Sequence, residues 1–148
     1  MCTSKRAVRY VIVGLSLLSG LAGARLAEHT DLHVNVQGLQ SDQGQVVANL
    51  FQEGDDVFGK PHMKKTSTIM NRKAVLSFAD VPKGRYALIV FHDKNGNDDL
   101  DHNLLRFPAE LLGYSNGFEL TLLSGMPSFN KLAFTLGSES KTLDIVVR

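Results

Sequence analysis

The sequence predicts an all-β fold: a single-domain antiparallel β-sandwich of about seven strands with two long loops, with a small barrel as the alternative. Three observations predict it. Short segments rich in β-branched and aromatic residues recur along the chain, and turn signals separate them. No segment combines sustained helical periodicity with capping residues. The chain of 148 residues has room for one core.

The N-terminal segment has the pattern of a signal peptide rather than of a folded element. Three basic residues precede an apolar run over residues 10–21, and small-residue cleavage patterns follow that run. The run is short and interrupted by Gly, so we expect no membrane span after cleavage, an uncleaved anchor being the alternative. The sequence therefore predicts a signal peptide at 1–27, a folded domain at 28–148, and a periplasmic or secreted protein.

Charge and cysteine content exclude several classes of function. Four of the 16 basic residues lie in the predicted signal peptide, whereas all 15 acidic residues follow it, which leaves the domain with a formal charge of −3. A domain of this charge without a basic patch is not expected to bind nucleic acid. The single cysteine, Cys2, also lies in the signal peptide. The domain therefore has no disulfide, no thiol nucleophile and no Cys metal ligand.

Six segments of the domain are predicted to be strands. The fourth, with the sequence YALIVF, is apolar without interruption, which predicts burial on both of its faces. Leu88, Val90 and Phe78 should lie inside the sandwich, with Tyr86 packing at the start of its strand. The predicted strands cover residues 32–36, 46–51, 74–78, 86–91, 131–136 and 142–147.

The two long loops cover residues 53–72 and 93–128, and loops of this length in a compact domain are usually functional or disordered. The second loop contains several aromatic and aliphatic residues, so we expect it to pack against the sandwich. Within it, Pro108 could begin a helical turn that ends at Leu112. The segment 114–116, Tyr-Ser-Asn, is predicted to anchor the loop to the sandwich.

An acidic segment, residues 93–101, follows the fourth predicted strand and is the main candidate site. Carboxylate and amide groups occupy alternate positions there, and such oxygens are what Ca²⁺ requires from a loop. Compared with an EF-hand loop, position 6 is Asp98 instead of Gly and position 12 is Leu104 instead of Glu, so affinity for calcium should be weak. The alternative is a polar turn whose side chains cap their own backbone. The predicted calcium ligands are Asp93, Asn95, Asn97, Asp99 and Asp101.

Three residues near this segment could supply further ligands: His92, His102 and Glu110. A catalytic zinc site normally has three protein ligands, often His with a carboxylate. A metal-handling protein or a metal-dependent hydrolase using His92, Asp93 and Asp101 is therefore an alternative. A half-buried His92 that hydrogen-bonds a loop carbonyl is the simpler interpretation. The sequence contains no Gly-x-Ser-x-Gly elbow and no phosphate-binding loop.

A run of spaced motifs resembles a family of uncharacterised bacterial exported proteins with a domain of unknown function. The motifs are Val81-Pro82-x-Gly84-x-Tyr86-Ala87, Phe91-His92-Asp93-x-Asn95-x-Asn97, Leu100-Asp101-x-Asn103 and Pro108-x-Glu110-x-x-Gly113-Tyr114-Ser115-Asn116. The resemblance implies a transthyretin-like or carboxypeptidase-regulatory-like β-sandwich, with an immunoglobulin-like sandwich as the other candidate, and implies no activity. Family members tend to have Gly where this chain has Asp98.

These observations predict an exported, non-enzymatic β-sandwich module. It is expected to bind a ligand, a cation or a protein partner through its loop end. The sequence does not identify that small ligand or protein, and it does not set the oligomeric state.

Overall fold

The computed structural model describes residues 28–104 and 108–148, and the predicted signal peptide lies outside these residues. The described residues form eight strands and one short helix. In chain order these are β1 (His29–Gln37), β2 (Gln45–Gln52), β3 (Met63–Thr68), β4 (Ala74–Pro82), β5 (Gly84–Asp93), β6 (Leu112–Tyr114), α1 (Phe129–Leu132), β7 (Phe134–Leu136) and β8 (Lys141–Val146). No helix of the described residues is long and apolar enough to cross a membrane.

The strands form two packed sheets, which confirms the predicted sandwich. The small sheet has the order β4-β1-β8, and the large sheet has the order β3-β2-β5-β6 with β7 also paired to β5. The prediction that all strands are antiparallel is wrong for one pair, because β1 and β8 run parallel, from Leu32 opposite Lys141 to Gln37 opposite Val146. A parallel pair needs a long crossover, and here the whole large sheet lies between the two strands in sequence.

Strand β5 is buried on both faces, as its uninterrupted apolar sequence predicts. Successive side chains of a strand point to opposite faces. Tyr86, Leu88 and Val90 belong to the core between the sheets and are fully buried. Ala87 and Ile89 belong to a second apolar cluster on the outer face of the large sheet. Phe78, the other predicted core residue, is also fully buried.

The Pro-x-Gly-x-Tyr motif has a physical explanation in the turn from β4 to β5. The Tyr86 hydroxyl donates a hydrogen bond of 2.8 Å to the Pro82 carbonyl oxygen. Sandwich proteins use the same link, a tyrosine corner, to fix a chain reversal between strands. The buried ring of Tyr86 therefore contributes both to the core and to the geometry of the turn.

The predictions fail where strands are short or polar. β3 lies in the first predicted long loop, because its sequence MKKTST forms an exposed sheet edge and lacks apolar alternation. β6 has three residues and lies in the second predicted long loop. The segment 108–112 forms no helical turn, and the helix lies instead at Phe129–Leu132, which shortens the predicted strand 131–136 to β7.

Candidate functional site: an apolar groove beside the acidic loop

The acidic loop, residues 93–101, begins at Asp93, whose buried carboxylate holds the loop together. One carboxylate oxygen, Oδ1, accepts hydrogen bonds from the backbone N–H groups of Gly96 (2.7 Å) and Asn97 (3.2 Å). The other, Oδ2, accepts from the Asp98 N–H (2.9 Å) and from Nε2 of Gln45 on β2 (2.8 Å). Burial by itself raises the pKa of Asp93, but the hydrogen bonds from Gln45 and the three backbone groups outweigh it and lower that pKa.

Asn95 and Asn97 direct their side-chain amino groups to one carboxylate. Their Nδ2 atoms donate to the two oxygens of Asp101, at 2.7 Å from Asn95 and 3.1 Å from Asn97. Their Oδ1 atoms accept from backbone N–H groups two residues further along, those of Asn97 and Asp99. These are the self-capping contacts of a polar turn.

Asp98 adopts a left-handed backbone conformation, with φ of 63°. Glycine adopts this conformation at little cost, whereas a residue with a Cβ adopts it less readily. A Gly at this position, which the family resemblance leads us to expect, would adopt the conformation without that cost. Asn and Asp are the side chains best tolerated there after Gly.

Glu110, which the sequence predicts as a candidate further ligand, contacts the acidic loop through backbone groups. Its carboxylate accepts from the Lys94 N–H at 3.2 Å and from the Asp101 N–H at 3.4 Å. Burial raises its pKa, the two hydrogen bonds oppose this, and the charges of Asp93 and Asp101 raise it further. Glu110 therefore closes the acidic loop at its far end.

The two histidines lie apart from this network. His92 is fully buried, and its Nε2 lies 2.9 Å from the Gln43 carbonyl oxygen, while its Nδ1 has no hydrogen-bond partner. It lies on the core side of β5, because it has the same strand parity as Val90. His102 is exposed and pairs with Pro108 in an isolated β-bridge.

The loop thus gathers Asp93, Asn95, Asn97, Asp101 and Glu110, whereas His92 faces the other side of the sheet. Asp99 is 87 % exposed, and its Oδ1 lies 4.0 Å from the Lys64 ammonium. Within residues 28–104 and 108–148, no group of three or more His, Cys, Asp or Glu side chains is placed to hold a metal ion. The calcium site stays a prediction.

Next to the acidic loop, the outer face of the large sheet carries a groove of about 1070 Å³, hereafter the outer groove. Its floor consists of Asn49 and Phe51 on β2, Ile89 and Phe91 on β5, and Tyr114 on β6. Its walls come from three loops, over residues 57–61, 98–102 and 120–127. Ligand sites are typically concave, mainly apolar cavities of roughly 300–1,000 Å³ with a few polar groups. The outer groove has the size and the lining of such a site.

Large apolar side chains stand exposed along the rim of the outer groove. Leu122 is 104 % exposed, Met126 66 %, Phe58 63 % and Leu120 43 %. Single exposed apolar residues need no explanation, but a cluster of them around a concavity marks a surface that binds something. We did not predict this site, because its residues come from separate loops, although the apolar outer face of β5 indicated that something had to cover it.

The 114–116 segment anchors the wall of the outer groove, which confirms its predicted role. The buried Ser115 Oγ accepts from the Leu88 N–H (2.9 Å) and donates to the Leu132 carbonyl oxygen (2.6 Å). The Asn116 Nδ2 donates to the Lys131 carbonyl oxygen at 3.1 Å. The Lys131 ammonium in turn donates to the Ser124 and Met126 carbonyl oxygens, at 2.7 and 2.9 Å. The loop that carries the exposed leucines is therefore tied to β5 and α1.

The polar groups of the outer groove are few and unevenly placed. Lys64, Asp98, Asp99 and His102 lie together where the groove meets the acidic loop. The Lys64 ammonium donates to the Asp98 carbonyl oxygen at 2.7 Å. On the floor, the Asn49 Oδ1 is buried without a hydrogen-bond partner.

A second cavity, of about 790 Å³, lies beside β6 and β8. Arg148 and Glu119 both line it and form an ion pair with each other. Two exposed large apolar residues, Leu120 and Val146, line it, whereas four line the outer groove. The outer groove is therefore the stronger candidate.

Comparison with known proteins gives one match. Residues 34–144 match the family model DUF2141, described as an uncharacterised protein conserved in bacteria. No curated protein and no solved structure matched the chain. The match runs from within β1 to within β8 and includes the acidic loop and the floor of the outer groove. This chain belongs to the DUF2141 family of uncharacterised conserved bacterial proteins.

Proposed function

We propose that this protein is an exported, non-enzymatic binding module that takes a small apolar ligand in the outer groove. The observation that carries the proposal is the combination of an apolar cavity of about 1070 Å³ with a rim of exposed Phe58, Leu122 and Met126. Exposed apolar groups of this size are hydrated at a cost in free energy, and burying them against a ligand recovers it. Export is supported by the signal-like sequence of residues 1–27.

The arrangement of the polar residues favours binding over catalysis. A catalytic centre needs its acid, base or metal ligands to meet at one reacting atom. His92 lies on the core side of β5, whereas the Asp93 carboxylate is surrounded by backbone N–H groups of its own loop. Asp101 is engaged by two asparagine side chains. The alternative of a metal-dependent hydrolase with these three residues therefore has less support.

Titration with the neutral apolar dye Nile red tests the proposal. We expect saturable binding with a blue shift in the native protein. Fully burying a large apolar side chain is worth about 1.5–3 kcal/mol, so partial burial of two rim residues should amount to about tenfold or more in Kd. The double variant Phe58→Ser/Leu122→Ser should therefore bind the dye at least about tenfold more weakly.

Val75→Ser is the matched control. Val75 is 65 % exposed on β4, in the small sheet, and does not line the outer groove. Its variant should bind Nile red like the native protein. Absence of saturable binding, or equal affinities for the double variant and the native protein, would show that the outer groove is not a ligand site.

A further inference from the structure

The charges around the outer groove indicate the sign of the charge on the polar group of its ligand. β2 and β5 are antiparallel, with Gln45 opposite Asp93 and Gln52 opposite Tyr86. The acidic loop follows β5 and therefore lies at one end of this strand pair, whereas the loop 57–61 follows β2 and lies at the other. The outer groove between them is acidic at one end and apolar at the other.

Negative charge predominates at the acidic end. Asp98 and Asp99 line the outer groove there, and Asp101 and Glu110 lie behind them in the same network. Among the described lining residues, Lys64 is the only Lys or Arg. Its ammonium is already engaged by the Asp98 carbonyl oxygen and lies 4.0 Å from the Asp99 carboxylate. His102 also lines this end of the groove. A ligand anion would meet the carboxylates of Asp98 and Asp99, the imidazole of His102 and an ammonium group that is already engaged.

At the opposite end, the lining consists of Val57, Phe58 and Pro61, and none of these side chains has a hydrogen-bonding group. Between the two ends, Phe91, Ile89 and Phe51 form the apolar part of the floor, and Asn49 and Tyr114 are its polar members. An apolar body fits along this floor, and its polar group must then lie beside Asp99. A charge near two carboxylates is stabilised only if it is positive.

We propose that the ligand of the outer groove is a cationic amphiphile: an apolar chain or ring system that ends in an ammonium group. This inference rests on the proposed function, because it names the class of ligand for the same site. The apolar part would lie over β5, and the ammonium group would pair with Asp99 and Asp98.

A matched series of ligands tests the inference. Dodecylammonium, dodecanol and dodecanoate share one apolar chain and differ in the charge of the head group. Each compound would be used to displace Nile red from the purified exported protein at pH 7. Each would be kept below its micellar concentration, in low salt and with a chelator present. We expect dodecylammonium to displace the dye at a concentration at least about tenfold lower than dodecanoate, with dodecanol between them. Added salt should reduce this ratio.

Two variants move the ratio in opposite directions. Asp99→Asn keeps the shape of a side chain that is 87 % exposed and removes its charge, so the preference for ammonium should fall. Lys64→Gln removes the opposing cation, so the preference should rise. Glu139→Gln is the matched control, because it makes the same charge change at an exposed residue outside the groove lining and should leave the ratio unchanged.

The outcomes separate the two proposals. If Nile red binds and is displaced equally well by all three compounds, or best by dodecanoate, the cationic head group is wrong while the apolar site stands. The same holds if Asp99→Asn and Glu139→Gln change the ratio equally, because the preference would then reflect only the net charge of the protein. If Nile red does not bind at all, the proposed function fails and this inference fails with it.

Discussion

Removing the Ser115 hydroxyl should destabilise the protein far more than a serine-to-alanine change usually does. Its Oγ is buried and bonded to two backbone groups that belong to different elements, the Leu88 N–H of β5 and the Leu132 carbonyl of α1. Ser115→Ala leaves both groups buried without this partner. Each buried unsatisfied group costs about 1–3 kcal/mol, so we expect a loss of about 2–4 kcal/mol in the free energy of unfolding.

Urea unfolding followed by circular dichroism measures this loss. Domains of this size are stable by roughly 5–15 kcal/mol, so the transition midpoint should fall clearly while its slope stays the same. Ser138→Ala is the control, since the Ser138 Oγ is exposed and only accepts a hydrogen bond from Lys83. It should stay within about 0.5 kcal/mol of the native protein. A loss of that small size for Ser115→Ala as well would refute the argument that this hydroxyl holds the groove wall to the sheet.

Four further predictions follow from the sequence and the contacts. Leu88→Ala should cost about 2–5 kcal/mol, because it opens a cavity in a fully buried part of the core; a change as small as that of a surface variant would mean that β5 is not central. The pKa of Asp93 is lowered in the folded state, so its carboxylate should stabilise the fold above the ordinary pKa of 3.8 and lose this effect as the pH falls below that value. Asp93→Asn should therefore make the fall of the melting temperature at acid pH less steep, and an unchanged fall would contradict this. If the acidic loop binds calcium with a Kd of roughly 10⁻⁴–10⁻³ M, millimolar Ca²⁺ should raise the melting temperature by a few degrees in the native protein and in Asp55→Asn but not in Asp101→Asn; identical curves in calcium and chelator would favour the polar turn. Mass spectrometry of the exported protein should find a start between Arg25 and Glu28, and an intact N-terminal segment would overturn the predicted location.

The central strands could be predicted because their burial dictates their sequence. β5 lies between two apolar environments, so every position from Tyr86 to Phe91 is apolar. β3 was missed because an exposed edge strand tolerates Lys and Thr and therefore carries no periodic signal. The short β6 was missed because three residues cannot establish a period. The transthyretin-like assignment stays a prediction.

The candidate site could be predicted only in part. The alternating Asp and Asn residues indicated either a cation site or a polar turn. The sequence could not distinguish carboxylates that face an ion from carboxylates that accept from backbone N–H groups, as the Asp93 carboxylate does. The outer groove was not predicted, because its floor and walls come from β2, β5, β6 and three loops. Such a site depends on how loops pack against a sheet face, and no local sequence pattern encodes that packing.

The parallel pairing of β1 with β8 has a consequence for the order of folding. Asn35 on β1 donates a hydrogen bond to Asp144 on β8, across a separation of 109 residues. Contacts between residues so distant in sequence slow folding, because the chain must lose much conformational entropy before they form. β1 is the first of the described strands to be synthesised, yet one of its edges stays unpaired until residues 141–146 have been made. The small sheet is therefore complete only after the C-terminal strand has been made, and we expect its closure to be a late step of folding.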